Sequence, residues 1–131
     1  MIEIELSRII IDEEKKEQVV VLREKGGRRS ISIVIGIHEA TAIKMKLNGF
    51  NPPRPLTHDL ISAIIGHLGV ELEKVVIDNL VDGTFHAKLY LNNGDETIAK
   101  IIDARPSDSI ALAVRTKSPI FVEEKVLEKL S

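Results

Sequence analysis

Residues Ser30–Leu47, SISIVIGIHEATAIKMKL, contain the change of hydrophobic period that decides the fold. In the first six residues Ile recurs at every second position, which is typical of a β-strand with one buried face. After Gly36, apolar residues follow three and four positions apart up to Leu47, which is the spacing of one face of an α-helix. The stretch therefore predicts a strand that runs directly into an amphipathic helix, which Gly49 ends.

Strand patterns recur on both sides of this stretch, and helix patterns follow them. The further predicted strands are 2–6, 18–23, 73–80, 84–91, 96–102 and 119–122. Glycine-containing turns at 25–28, 81–83 and 92–95 predict hairpins between neighbouring strands. The further predicted helices are 57–68, which Thr57 can cap, 106–115, which Pro106 can start, and 123–130. The expected fold is α+β, a single domain with mainly antiparallel strands in hairpins and about four helices.

The two halves of the chain echo one another. Each half is predicted to run strand, strand, turn, strand and helix, and aligning 38–43 with 107–112 places Glu39 on Asp108. A duplicated β3α unit would put two acids at equivalent helix starts. The alternative is that acids are common in first helical turns, where they stabilise the helix dipole.

The composition is that of a globular domain. With 131 residues, 44% hydrophobic and 29% charged, the chain has the length of about one domain, residues 1–131. The lack of cysteine excludes disulfides, thiolate metal sites and cysteine nucleophiles. A net charge of −2 gives no global basic field that attracts nucleic acid or a membrane. Glu3 and Glu5 interrupt the first apolar run, and no run approaches the roughly 18 apolar residues of a membrane span, so we expect a cytoplasmic protein with no membrane partner.

The apolar residues are mostly β-branched aliphatics. Nineteen Ile and eleven Val stand against one Tyr, three Phe and no Trp, and β-branched side chains pack well on a pleated sheet. So few aromatic rings provide no stacking platform for single-stranded nucleic acid. The abundance of Lys and Glu beside a single Gln favours a thermophilic source.

Candidate catalytic residues concentrate where extended stretches meet helices. The N–H groups of a first helical turn bind anions, and the guanidinium groups of Arg54 and Arg105 match the geometry of phosphate. His58 can transfer protons near neutral pH. The three junctions are residues 36–40, 54–59 and 103–108.

Acidic residues at the same junctions supply oxygen ligands for a metal ion. Glu39, Asp59 and Asp108 can hold Mg²⁺ or Mn²⁺. The structural alternative is that Asp59 and Asp108 only neutralise unpaired N–H groups in first turns, and that Arg105 and Asp103 pair with each other or with the backbone. No glycine-rich phosphate loop is present, so we predict no organic cofactor.

The junctions belong to longer motifs, IGIHEA at 35–40, RPLTHDL at 54–60, DGTFHA at 82–87 and DARPSDSIA at 103–111. In this order they resemble the bifunctional nuclease domain family, from about residue 1 to residue 124. The resemblance implies a compact α+β domain that assembles as a homo-oligomer, with a dimer favoured. It also implies nuclease activity on DNA and RNA. The family provides no firmly assigned catalytic residues, so the site depends on the chemistry of the matched motifs.

Our first hypothesis is a metal-dependent phosphodiesterase. The three acids named above hold an ion that lowers the pKa of its bound water. His58 transfers the proton, and the two arginines stabilise charge on the phosphoryl oxygens. The predicted catalytic residues are His58, Arg54, Arg105, Asp59 and Asp108.

Two alternatives remain open. The acidic balance and the shortage of aromatic residues also fit a non-catalytic, oligomeric module that binds a small anionic ligand or a protein partner at the same junctions. The motifs can also be architectural, with Arg105 and Asp59 in buried pairs that fix the fold, since buried charges need partners. Arg105→Ala would then lower the melting temperature by several degrees.

Overall fold

The computed structural model describes residues 1–12, 14, 16–94 and 100–130. Within these ranges the chain forms seven strands and four helices, which confirms the predicted α+β class. In chain order they are β1 (Ile2–Asp12), β2 (Glu17–Glu24), β3 (Ser30–Ile35), α1 (Ile37–Leu47), α2 (Thr57–His67), β4 (Glu71–Val81), β5 (Thr84–Asn92), β6 (Lys100–Ala104), α3 (Pro106–Thr116), β7 (Ile120–Val122) and α4 (Glu124–Leu130).

All seven strands form one sheet, in the order β3-β2-β1-β7-β4-β5-β6. Strands β1–β3 and strands β4–β6 are two antiparallel meanders, each followed by a helix. Strand β7 joins the meanders, because Ile120 pairs with Ile4 of β1 in antiparallel fashion and with Val75 of β4 in parallel fashion. The order of elements thus repeats as the predicted β3α unit does, while the duplication itself stays a prediction.

The core is made almost entirely of aliphatic side chains. Alternate residues of β2 and β3, among them Leu22 and Ile31, lie on the buried face of the sheet. Helices α1 and α3 pack against each other and supply Ile43 and Ile110 to the same core. This packing fixes the starts of α1 and α3 side by side, and the site depends on that arrangement.

Two boundaries differ from the sequence predictions for identifiable reasons. Strand β1 continues to Asp12 because a bulge between Leu6 and Arg8 shifts the register, which breaks the two-residue alternation. Thr57 does not cap α2: the N-cap is Leu56, whose N–H donates to Asp59. The predicted turn at 92–95 and strand at 96–102 lie partly outside the described residues, and β6 begins at position 100 within them.

The four helices are short. None spans more than 11 residues, whereas a bilayer crossing needs about 20. In the part of the chain that the structure describes, no helix could therefore span a membrane.

Candidate active site

Three helices carry an acidic residue at the same place, the third helical position. These are Glu39 in α1, Asp59 in α2 and Asp108 in α3. An acid is stable there because the first helical N–H groups lack partners and the helix dipole is positive at that end. Local sequence thus explains why each acid is present, and the packing of the helices decides what each one contacts.

Asp108 and His58, two of the predicted catalytic residues, are joined by a hydrogen bond. The His58 Nε2 atom lies 2.9 Å from Asp108 Oδ1, and the His58 side chain is only 9% exposed. Burial raises the pKa of Asp108, but the hydrogen bonds from His58 and Arg105 outweigh it, and the net pKa lies below the usual range. The ionised carboxylate needs a proton on Nε2, so neutral His58 carries its lone pair on Nδ1. That nitrogen has no hydrogen-bond partner within the described residues.

The second oxygen of Asp108 accepts a hydrogen bond from Arg105. Arg105 Nε lies 2.9 Å from Asp108 Oδ2, and Arg105 Nη2 lies 3.1 Å from Glu39 Oε1. The Asp108 hydrogen bond and charge raise the pKa of Arg105, with a smaller contribution from Glu39. The Arg105 side chain is 67% exposed, so the guanidinium can still donate to a ligand. One carboxylate therefore holds both a histidine and an arginine at the start of α3.

These residues lie at the polar end of a cleft of about 820 Å³. That volume is in the range of small-molecule sites in proteins. The polar residues that line the cleft are His38, Glu39, Thr41, Thr57, His58, Asp103, Arg105 and Asp108. The apolar ones are Ala42, Met45, Leu56, Ile61, Leu89, Ile102, Ala104 and Leu112. The cleft thus offers a charged end beside an aliphatic wall.

Asp59 makes its contacts elsewhere. Its Oδ1 accepts a 2.7 Å hydrogen bond from Arg115 Nε, and its Oδ2 accepts the Leu56 N–H at 3.0 Å. Burial raises the pKa of Asp59, but the hydrogen bonds from Leu56 and Arg115 lower it by more. The net pKa of Asp59 lies below its usual range. The Asp59 carboxylate therefore binds Leu56 and Arg115, and Asp59 does not line the cleft.

Arg115 was missed by the sequence analysis. Its side chain is only 5% exposed, and an arginine near the end of a helix is unremarkable in sequence. The available signal was its spacing: Arg115 follows Asp108 by seven residues, which places both on one face of α3. His38 also lines the cleft, although sequence reasoning gave it no role.

Two other predicted contacts are absent. Arg54 is exposed and does not line the cleft. The Asp103 Oδ1 atom lies 3.3 Å from Lys88 Nζ, and Arg105 binds Asp108 and Glu39 instead. The predicted pair of Arg105 with Asp103 is therefore wrong. The architectural hypothesis also needs correction, because the arginine in a buried pair with Asp59 is Arg115, whereas Arg105 is mostly exposed.

The three acids predicted as metal ligands do not form one group. Glu39 and Asp108 both bind the Arg105 guanidinium, and Asp59 binds Arg115. Within the described ranges, no cluster of three or more His, Asp or Glu side chains is arranged to hold a metal ion. Each of the three acids is instead paired with an arginine side chain. The requirement for Mg²⁺ or Mn²⁺ stays a prediction.

Comparison with known proteins places this chain in a family. The model of the bifunctional nuclease domain matches residues 20–131. An uncharacterized protein of Mycobacterium tuberculosis is 43% identical over 125 residues, which cover 95% of this chain and 73% of that protein. Bifunctional nuclease 2 of Oryza sativa subsp. japonica is 29% identical over 88% of this chain and 36% of its own length. For bifunctional nuclease 2 of Arabidopsis thaliana the identity is 27%, over 81% of this chain and 32% of the plant protein. The chain belongs to the bifunctional nuclease domain family.

Proposed function

We propose that this protein is a nuclease that hydrolyses phosphodiester bonds of DNA and RNA in the cleft between α1, α2 and β6. The observation that carries the proposal is the Asp108 carboxylate, which holds a proton-transfer group and a phosphate-binding group at one edge of the cleft. Membership of the bifunctional nuclease domain family supports it.

In this proposal His58 acts as the general base. Asp108 orients the imidazole through Nε2, so the Nδ1 lone pair is available to a water molecule in the cleft. The water oxygen attacks phosphorus as its proton passes to Nδ1. The bond from phosphorus to the leaving oxygen breaks, and that oxygen takes up a proton from solvent. The ionised Asp108 stabilises the imidazolium that forms.

Arg105 stabilises the charge that develops on the phosphoryl oxygens. Among the described residues the guanidinium binds two carboxylates, and most of the side chain is exposed, so further N–H groups remain for a phosphate. Glu39 and Asp108 hold the guanidinium at the cleft before substrate arrives. A donor fixed in advance stabilises a transition state without reorganisation at the moment of reaction.

The test is a cleavage assay on highly purified protein with single-stranded DNA and RNA, with and without EDTA. The variant is His58→Gln, and the matched control is His67→Gln, because His67 lies on the same helix, is exposed and, within the described part of the chain, bonds to the Ala63 carbonyl alone. We expect His58→Gln to abolish cleavage and His67→Gln to retain it. Equal cleavage by both variants would contradict the site. The EDTA arm tests the predicted metal requirement separately.

One observation favours a second candidate, a binding module without turnover. The residues that line the cleft include three acids and one arginine, and half of them are apolar. The excess of acids disfavours binding of a polyanion, and the composition fits a small ligand. In that case no variant cleaves, and nucleoside monophosphates raise the melting temperature of the wild type but not of Arg105→Met.

The resemblance also implies a homo-oligomer, with a dimer favoured, and we retain this as a proposal. Light scattering on the purified chain measures the mass directly. A cytoplasmic location and a thermophilic source likewise stay predictions.

A further inference from the structure

Arg115 connects three helices although it lies outside the cleft. From the last turn of α3, its Nε donates to Asp59 of α2 at 2.7 Å. Its Nη1 donates to the Ala111 carbonyl of α3 at 2.9 Å, and its Nη2 to the Ala42 carbonyl of α1 at 3.4 Å. Each of the three guanidinium nitrogens thus donates one hydrogen bond within the protein, and the Arg115 side chain is only 5% exposed.

The spacing of Asp108 and Arg115 along α3 relates the Arg115 contacts to the contact between Asp108 and His58. Asp108 and Arg115 are seven residues apart, so they lie on one face of α3, separated by about 10 Å along the helix axis. Their partners His58 and Asp59 are consecutive residues in the first turn of α2. The first turn of α2 is therefore attached to one face of α3 at two points, one of which is the proposed catalytic histidine.

The apolar packing of α2 is limited. All eleven residues of α2 are described, and only His58 among them is buried. Ile61 and Ile65 pack, partly buried, against the core, whereas Leu60 and Ile64 are half exposed, at 54% and 50%. Both packed residues follow the first turn, so polar contacts have more weight in fixing the start of the helix.

We propose that Arg115, acting through Asp59, is a positioning residue for His58. The Arg115–Asp59 pair fixes the first turn of α2, and Asp59 also fixes the Leu56 N–H at the start of the helix. The His58 ring, which lines the cleft, is thereby kept with Nε2 against Asp108. A buried ion pair adds little net stability compared with apolar packing, so its main contribution here is geometry. The catalytic consequence rests on the proposed function, whereas the geometric one does not.

The experiment compares Arg115→Met and Arg115→Lys with the wild type. Met retains much of the side-chain length without charge, and Lys retains charge but cannot form the forked contacts. The matched control is Val126→Ala, which removes buried volume from α4, a helix that packs on β4. Circular dichroism first selects conditions in which all variants are folded.

The first readout is the nitrogen-15 spectrum of the imidazoles above their titration range, with the His58 signal assigned by its loss in His58→Gln. We expect the Nε2–H tautomer in the wild type and in Val126→Ala, and a mixture of tautomers in both Arg115 variants. The second readout is cleavage, where we expect kcat to fall about tenfold to a hundredfold, the usual cost of a misplaced catalytic group. The KM should change much less.

A wild-type His58 spectrum together with a wild-type kcat in both folded Arg115 variants would overturn the inference, because the pair would then be only structural. Should both variants unfold, Asp59→Asn decides by the same readouts, since it weakens the pair and leaves the carbonyl contacts of Arg115 intact. If the wild type does not cleave nucleic acid but the tautomer changes as expected, the proposed function fails and the positioning role stands.

Discussion

Two arginines on α3 should differ in what they contribute to stability, although both bind carboxylates. Arg105 is 67% exposed and Arg115 is 5% exposed. The perturbation is Arg→Ala at each position, measured as the free energy of unfolding. Arg105→Ala breaks two ion pairs of a mostly exposed guanidinium and should cost no more than about 2 kcal/mol, since exposed pairs contribute about 0–1 kcal/mol each.

Arg115→Ala should cost considerably more. Breaking a buried pair costs about 3–5 kcal/mol, and we expect the lower end, about 3 kcal/mol, because Asp59 is 31% exposed and regains water. For a domain of this size, about 1 kcal/mol shifts the melting temperature by roughly 4 °C. The expected losses are therefore about 12 °C for Arg115→Ala and at most about 8 °C for Arg105→Ala.

The assay is urea and thermal unfolding followed by circular dichroism, at one protein concentration and at low and high salt. High salt should further reduce the small effect of Arg105→Ala and leave the effect of Arg115→Ala nearly unchanged, since buried pairs are screened less. A loss for Arg105→Ala equal to that for Arg115→Ala would refute the reasoning, and would show that Arg105 is not solvated as the single chain indicates.

Three further predictions concern the residues of the cleft and its surroundings. Because the folded pKa of Asp108 is lowered, its contacts add stability above its unfolded pKa of about 3.9, and this is lost as pH falls through the folded value. Asp108→Asn should therefore flatten the acid limb of stability against pH, and an unchanged limb in urea titrations would contradict this. Glu39→Gln removes a negative charge beside Arg105, so KM for an oligonucleotide should fall at low salt and approach the wild-type value at high salt. A KM that rises instead would show that Glu39 is needed to hold Arg105. Arg54→Ala should leave kcat unchanged because Arg54 is exposed and does not line the cleft, and a large loss would place the proline-rich segment at 51–55 in the site.

Local sequence predicts the elements well where one physical cause acts. Ser30–Ile35 forms the predicted strand with the predicted boundaries, because alternation directly reflects one buried face. The helix that begins at Pro106 is also confirmed, since proline suits the first helical position. The predicted strand 2–6 is shorter than β1, because a bulge changes the phase of the alternation between Leu6 and Arg8. A two-residue period does not predict that a strand continues beyond such a change of phase.

The candidate site was predicted in its residue types but not in its arrangement. His58, Arg105, Asp108 and Glu39 were named from chemistry alone, and the structure places them on one cleft. Asp59 belongs to the same class of residue, an acid at the third helical position, yet it binds Arg115. The sequence environments of these acids do not distinguish them, because each is explained by the dipole of its own helix.

The α+β class, the strand and helix segments and the concentration of chemical groups at helix starts can be predicted from sequence, since they follow from propensity and periodicity over a few residues. Tertiary packing is needed to place β7 between β1 and β4, and to bring His58 to Asp108 across 50 positions of sequence. A hydrophobic period reports that one face is buried, but not against which partner. The partner of each face is determined when the whole core packs. The same packing places Asp108 at the cleft beside His58 and Asp59 against the buried Arg115.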